Sequence, residues 1–344
     1  MSVLAGIFFH FIGSSAASSF YLPFKKVKGW SWESYWLIGG IASWIIMPLI
    51  MGWIFVPDLF GIISKAPQKA VYYTFFFGLL WGIGGLTFGL SMRYLGLSLG
   101  YAIVLGFTTA FGTIIPPIFD GSFGALIAET SGKLILLGLL LSLTGIFFCG
   151  LAGFNKEREL VPADPADTIK EFDLRKGVVI ALISGVLSAC MAFGLVSGKP
   201  IAKLAVEHGT PNLWQNNVVL VVILWGGFIT NFIWCLILNT RNSTYKDYLD
   251  NSSGRIGFNY LFSSLAGSIW YLQFFFYGMG STQMGKYDFI SWTLHMTMII
   301  ILSTIWGVVL GEWKSTSSKT KRLLSIGLFL LISSILAIGL GGAS

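Results

Sequence analysis

Apolar residues run along this chain in blocks of about twenty, separated by short polar segments. A block of that length lets an α-helix cross the roughly 30 Å hydrocarbon layer of a bilayer. Ten spans are predicted, at roughly 2–22, 33–56, 69–92, 97–119, 133–153, 176–198, 213–238, 258–280, 287–311 and 322–341. The short alternating segments of a β-barrel are not the pattern. The most polar interruption, "NKERELVPADPADTIKEFDLRK" at 155–176, leaves five spans on either side. An odd number of spans per half sets the halves in opposite orientations, the plan of inverted-repeat transporters. The expected fold is an all-α integral membrane protein with ten transmembrane helices in two inverted five-helix repeats. Its parts would be a first repeat (1–154), a polar cytoplasmic linker (155–175) and a second repeat (176–344). An offset of 189 residues weakly supports the repeat, aligning Trp81 with Trp270, Gly89 with Gly278 and Gly96 with Gly285.

Composition strengthens the membrane reading. Hydrophobic residues make up 55%, charged residues only 11%, and mean hydropathy is +0.77, where a soluble domain carries roughly 25% charged residues. Charge adds orientation. Of the 22 Lys and Arg, 16 follow odd-numbered spans and 6 follow even-numbered ones. The positive-inside rule then puts the odd loops in the cytoplasm and both termini outside. The net charge of +7 is thereby accounted for, and no nucleic-acid partner is expected. The N-terminal apolar run lacks a preceding basic segment; Lys25, Lys26 and Lys28 come after it. That order marks a retained helix rather than a cleaved signal. Cys149, Cys190 and Cys235 fall within spans without paired spacing, so neither disulfide, metal nor cofactor is expected.

Polar side chains are costly in hydrocarbon, which makes their helical phase informative. His10, Ser14, Ala17 and Tyr21 follow i, i+4, i+7, i+11 spacing on span 1. Trp270, Gln273 and Tyr277 form a stripe on span 8, and Asp288, Trp292 and His295 one on span 9. Span 3 offers Trp81, span 4 offers Thr108, Thr109 and Thr113, and span 7 opens with "NLWQNN". Each has a plainer reading. A membrane histidine can simply hydrogen-bond a neighbouring helix, and Tyr21 and Trp292 can be interface anchors. Asp288 can be a first-turn carboxylate favoured by the helix dipole, and Gln215 and Asn216 can be caps. If the stripes converge, they line a wet, aromatic-walled cavity near the midplane. Aromatic faces and amide or hydroxyl groups suit an uncharged polyol, whose OH groups need replacement partners when desolvated. Arg93 and Lys199 lie near span ends, so no buried cationic clamp for a phosphate or carboxylate is expected.

The segments "FFHFIGSSAASSFYLPFKKVKGWSWESYW" (8–36), "MRYLGLSLG" (92–100), "WYLQFFFYGMG" (270–280) and "KYDFISWTLHM" (286–296) closely resemble the bacterial L-rhamnose–proton symporter family of the drug/metabolite transporter superfamily. The resemblance runs over the whole chain and is strongest in spans 1–3 and 8–9. It implies ten helices in two inverted halves, periplasmic termini, the bacterial inner membrane, and uptake of a 6-deoxy sugar with a proton. In the superfamily, helices 1, 3, 4, 6, 8 and 9 tend to line the central cavity. The expected sugar-binding residues are therefore His10, Ser14, Tyr21, Trp81, Trp270, Gln273, Tyr277 and Trp292. Asp288 and His295 are the expected proton-coupling residues, with His10 a second candidate. Partial desolvation would favour a proton-loaded Asp288, and His295, two turns deeper, would pass or share that proton. The expected partners are a small sugar, a proton and the lipid bilayer. Oligomeric state is left open, a monomer being compatible with the pattern. Two alternatives stand beside this reading. One is a uniporter or exporter of another small metabolite. The other, more remote, is an intramembrane enzyme, for which no nucleophile–base or carboxylate pair is evident.

Overall fold

The computed structural model describes residues 3–95, 97–119, 121–160, 174–251 and 254–343. Regular structure among them is entirely helical. Helices α1 (Val3–Ser19) and α2 (Tyr21–Phe24) together make the first span. Their break follows from Pro23, which has no N–H to offer the carbonyl four residues back, at Ser19. The second span is α3 (Trp32–Gly40), a π-helical turn (Ile41–Ile46) and α4 (Met47–Phe55). Pro48 frees the Trp44 carbonyl in the same way, and the helix widens there by a residue.

After the short α5 (Leu59–Lys65) come α6 (Gln68–Leu95), α7 (Leu97–Phe119), α8 (Phe123–Ala128) and α9 (Thr130–Leu160). The second half holds α10 (Leu174–Ser197), the short α11 (Lys199–Glu207), α12 (Asn216–Asn242) and α13 (Ile256–Ser281). It ends with α14 (Ser291–Val309) and α15 (Ser318–Ala343). The predicted linker 155–175 is thus partly helix, since α9 runs on to Leu160 and α10 begins at Leu174; residues 161–173 lie outside the described residues, as does Gly96 of the repeat alignment.

Among the described residues, nine helical stretches are long and apolar enough to cross a membrane. The span expected at 258–280 coincides with α13, 26 residues long, which is not among the nine. Its Asn, Ser, Trp, Tyr and Gln residues lower its hydropathy. The reason is its position, because α13 packs on α1, α3 and the π-helical turn and buries Asn259, Ser263, Gln273 and Tyr277. A helix surrounded by protein can carry polar groups that lipid would exclude.

The other main pairings are α6 with α10 and α12, α9 with α15, α7 with α10, and α14 with α1. Small residues set the closest approaches. A Cβ at Gly267 of α13 would lie 2.1 Å from the Gly39 carbonyl oxygen of α3, so only glycine allows that contact. Large apolar side chains such as Phe8, Trp53, Phe119, Phe329 and Leu340 point outward and are exposed, as a lipid-facing surface requires.

Polar contacts tie together the loops after the first and seventh spans. The Glu33 carboxylate accepts from Asn242 Nδ2 and Thr244 Oγ1, each at 2.9 Å. Asp247 accepts from the Ser31 amide at 2.8 Å and Ser34 Oγ at 2.7 Å. Asn259 exchanges two hydrogen bonds with the Lys28 backbone, at 3.1 and 2.8 Å. At the opposite end, α5 and α11 pack together over an apolar cluster that includes Leu59, Ile62, Ile201, Ala205 and Val218.

Candidate functional site

A cavity of about 480 Å³ opens at the end of the molecule that carries α11 and the turn before α14. Its polar lining comes from Asn212, Gln215, Asn216, Tyr277, Ser281 and Thr282. Its apolar wall is Ala192, Leu195 and Val196 of α10, with Gly112 and Pro116 of α7. The amides at the start of α12 are anchored. Asn216 Nδ2 donates to the Gly278 carbonyl at 2.9 Å and to Ser281 Oγ at 3.0 Å, and Gln215 Nε2 donates to Asn212 Oδ1 at 2.6 Å. These amides, read as possible caps in the sequence, are part of the cavity wall.

Two lysines also reach this lining, which the sequence did not suggest. Lys199 and Lys203 are successive turns of α11 at the mouth. They do not form a buried clamp. Lys199 Nζ pairs with Asp288 Oδ2 at 2.9 Å, and Lys203 lies 3.9 Å from Glu207. Both lysine side chains are more than half exposed, so water screens them.

Asp288 therefore stands at the rim, 33% exposed and ion-paired, and not on a stripe with His295. The reason is local: Gly285–Ile290 is a 3-10 turn, and α-helical phase begins only at Ser291. Three residues per turn instead of 3.6 breaks the seven-residue stripe. Lys286 and Tyr287 side chains lie outside what is described.

Behind the cavity, five of the expected residues do meet. Tyr277 lines the cavity and its ring lies 5.2 Å from His10, 5.3 Å from His295 and 5.9 Å from Trp292 between centroids. The His10 and His295 rings are 6.1 Å apart. Both histidines and Ser14 are fully buried. Ser14 Oγ sits 3.1 Å from His295 Nδ1 and donates to the His295 carbonyl at 3.1 Å. Trp292 Nε1 donates to the Thr108 carbonyl at 3.0 Å.

Glycines make the room. A Cβ at Gly112 would fall 2.4 Å from Trp292 Cδ1, and one at Gly280 2.9 Å from His10 Nε2. Threonines on α7 and serine on α9 tie to α14 beside this cluster, through Thr113–Thr293 and Ser142–Thr297 hydroxyl pairs. The cluster is unusual in what it leaves open. Among the described residues, His10 Nδ1, His10 Nε2 and His295 Nε2 have no hydrogen-bond partner, whereas buried polar atoms are nearly always satisfied.

The remaining expected residues lie apart from the cavity. Trp81 and Trp270 stack on each other at 5.8 Å, with Trp44 and Phe274 edge-on to both. This aromatic block fills its surroundings, leaving a pocket of only about 10 Å³ beside Trp44 and Trp270. Gln273 is buried on α13, where Gly13 of α1 approaches its carbonyl oxygen. Tyr21 is about half exposed at the far end of the first span, against Phe20 and Phe24. The Pro23 break removes it from the phase of His10 and Ser14.

Comparison with known proteins bears on the whole chain. Residues 1–344 match the family described as L-rhamnose-proton symport protein (RhaT). The L-rhamnose-proton symporter of Citrobacter koseri is 38% identical over 346 residues, covering 100% of this chain and 99% of the relative. The proteins of the same name from Mannheimia succiniciproducens and Yersinia pestis are 39% and 37% identical with the same coverage. Matched end to end at this identity, the chain, helical throughout its described regular structure and holding a polar cavity lined by Tyr277, belongs to the L-rhamnose-proton symport protein (RhaT) family.

Proposed function

We propose that this protein takes up L-rhamnose, a neutral 6-deoxy sugar, together with a proton across the bacterial inner membrane. The observation that carries the reading is the cavity of about 480 Å³, within the usual range for a small-molecule site. Its amides, hydroxyls and Tyr277 can replace the water of sugar hydroxyls, and its Ala192–Leu195–Val196 wall can take a methyl group. The names of the relatives point the same way.

The sugar-contacting set in this reading is Tyr277 with the α12 amides. His10, Ser14, Gln273 and Trp292 support it from behind, and Trp81 and Trp270 form the barrier beneath. His295 is the proton-coupling group, and Asp288 sits at the mouth where a proton arrives. Inward movement of one proton gains about 2.3 kcal/mol per 100 mV, enough for roughly a 50-fold gradient of neutral solute.

Alternating access is part of the proposal. The chain would form ten spans, α13 being the tenth, in inverted repeats of residues 1–154 and 176–344, with the 155–175 linker in the cytoplasm and both termini periplasmic. Exchanging each span for its mate five spans on converts the α1–α13 pairing into α10–α6, and α7–α10 into α14–α1, and all four are found. The α3–α12 and α9–α15 pairings map onto themselves. With odd loops inside, the cavity faces the periplasm, and the Glu33, Asp247 and Asn259 contacts close the cytoplasmic side.

The test is purified protein in liposomes. An inward pH gradient should drive accumulation of L-rhamnose above equilibrium, with external alkalinisation, in preference to 6-hydroxy analogues. Equilibration without accumulation, and no pH change on sugar addition, would favour a uniporter instead.

A further inference from the structure

We propose that His10 and His295 act as one site that holds a single proton between them. The inference rests on the symport reading and names the second half of its proton site. Ser14 carries the first part of the argument. Its hydroxyl has one hydrogen, and the His295 carbonyl at 3.1 Å can only accept. Once that hydrogen is given, Ser14 Oγ is an acceptor toward His295 Nδ1 at 3.1 Å. With Ser14 bonded that way, neutral His295 keeps its hydrogen on Nδ1 and leaves a lone pair on Nε2. That Nε2 is buried and, among the described residues, without a partner, as are both nitrogens of His10. The second part is distance. Two imidazoles joined by a direct N–H···N bond of about 2.9 Å have centroids roughly 5 Å apart. These stand at 6.1 Å, about 1 Å beyond that contact. At that distance the neutral pair is unbonded, and an added proton makes the N–H···N contact charge-assisted, the stronger kind that can draw the rings together.

The step balances simply. A proton from water in the cavity forms an N–H bond with the lone pair of His295 Nε2, which then donates to a nitrogen of His10 as α1 and α14 close. On the cytoplasmic side the same N–H bond breaks and the proton passes to water. Tyr277 of α13 is a titratable side chain that touches both rings, and it also lines the cavity. From α14 the facing group beyond His295 is Trp292, which is not titratable, and the charged pair Asp288–Lys199 stays at the rim. A second proton on the pair would place two like charges on rings whose centroids are 6.1 Å apart, where they repel. One proton per sugar follows, and the α1–α14 contact becomes dependent on it.

The experiment uses the full-length protein in liposomes and separates sugar exchange from proton-driven accumulation. His10→Gln and His295→Gln should each cut accumulation from roughly 50-fold toward equilibration, a larger factor than either takes from counterflow of L-rhamnose. The double variant should be no worse than either single one, because the two residues serve one step. His10→Gln with accumulation intact would overturn the proposal. Parallel loss of exchange and accumulation in both His10→Gln and His10→Asn would also overturn it, since that marks a purely structural residue. A second measurement needs no variant. The wild-type charge moved per sugar, from transport currents against tracer flux, should be one, and a value of two would overturn it. If the wild type accumulates no sugar under a pH gradient, the symport reading fails first, which is a different result.

Discussion

Trp292 and Gly112 show how individual residues build this site. Trp292 is held by one hydrogen bond to the Thr108 carbonyl, and its indole occupies the space a side chain at 112 would need. Trp292→Phe should therefore lower stability by about 1 kcal/mol, the usual net worth of such a bond, read as a fall in melting temperature of the detergent-solubilised protein. Gly112→Val should displace the indole. Overpacking of this kind costs roughly 1–3 kcal/mol, so rhamnose uptake should fall about tenfold while the protein still reaches the membrane. The meeting of His10, Ser14, Tyr277, Trp292 and His295 was legible in the sequence, because polar residues in α-helical phase on an apolar span have to face protein. The site of Asp288 was not, since the phase argument assumed an α-helix where the chain makes a 3-10 turn. Asn216 looked like a cap because its position beside a span end is the same for a cap and for a cavity wall. Only its bonds to Gly278 and Ser281 tell the two apart.

At the scale of elements, proline and glycine decide where helices break and how closely they cross. Pro23 and Pro48 each free a carbonyl, and the chain answers with a helix break and a π-helical turn. The sequence located the spans to within a few residues, because a run of about twenty apolar residues admits little else in a bilayer. It did not reveal the π-helical turn or the α5–α11 cover, since neither changes the apolar count. It set α13 beside the other spans, whereas α13 is more polar and lies among other helices. Gly267→Ala tests that central packing. Its Cβ would meet the Gly39 carbonyl oxygen, so the variant should lose a few kcal/mol of stability and fail to hold α3 against α13. A melting temperature within a degree of wild type would show the contact to be looser than described. Asp247→Ala removes the acceptor shared by Ser31 and Ser34 at the closed end. It should shift the protein toward a form open on that side, seen as faster labelling of a cysteine placed at Ser43 by a cytoplasmic thiol reagent.

For the whole molecule, the central proposal is geometric: the hollow of about 480 Å³ beside Tyr277 is where the sugar binds, entered from the periplasm in this form. Orientation came from the lysine and arginine count, and the hollow came from the coordinates. Taken together, they put the mouth of the cavity on the outer face in this proposal. The most direct test puts one reactive thiol in the wall. Val196 lines the cavity and is partly accessible, so Val196→Cys places a thiol there without removing a polar group. The account predicts that a membrane-impermeant thiol reagent added outside right-side-out vesicles labels it, and that L-rhamnose slows labelling with half-protection near the transport KM. Labelling that occurs only from the cytoplasmic side, or that L-rhamnose leaves unchanged, would contradict it.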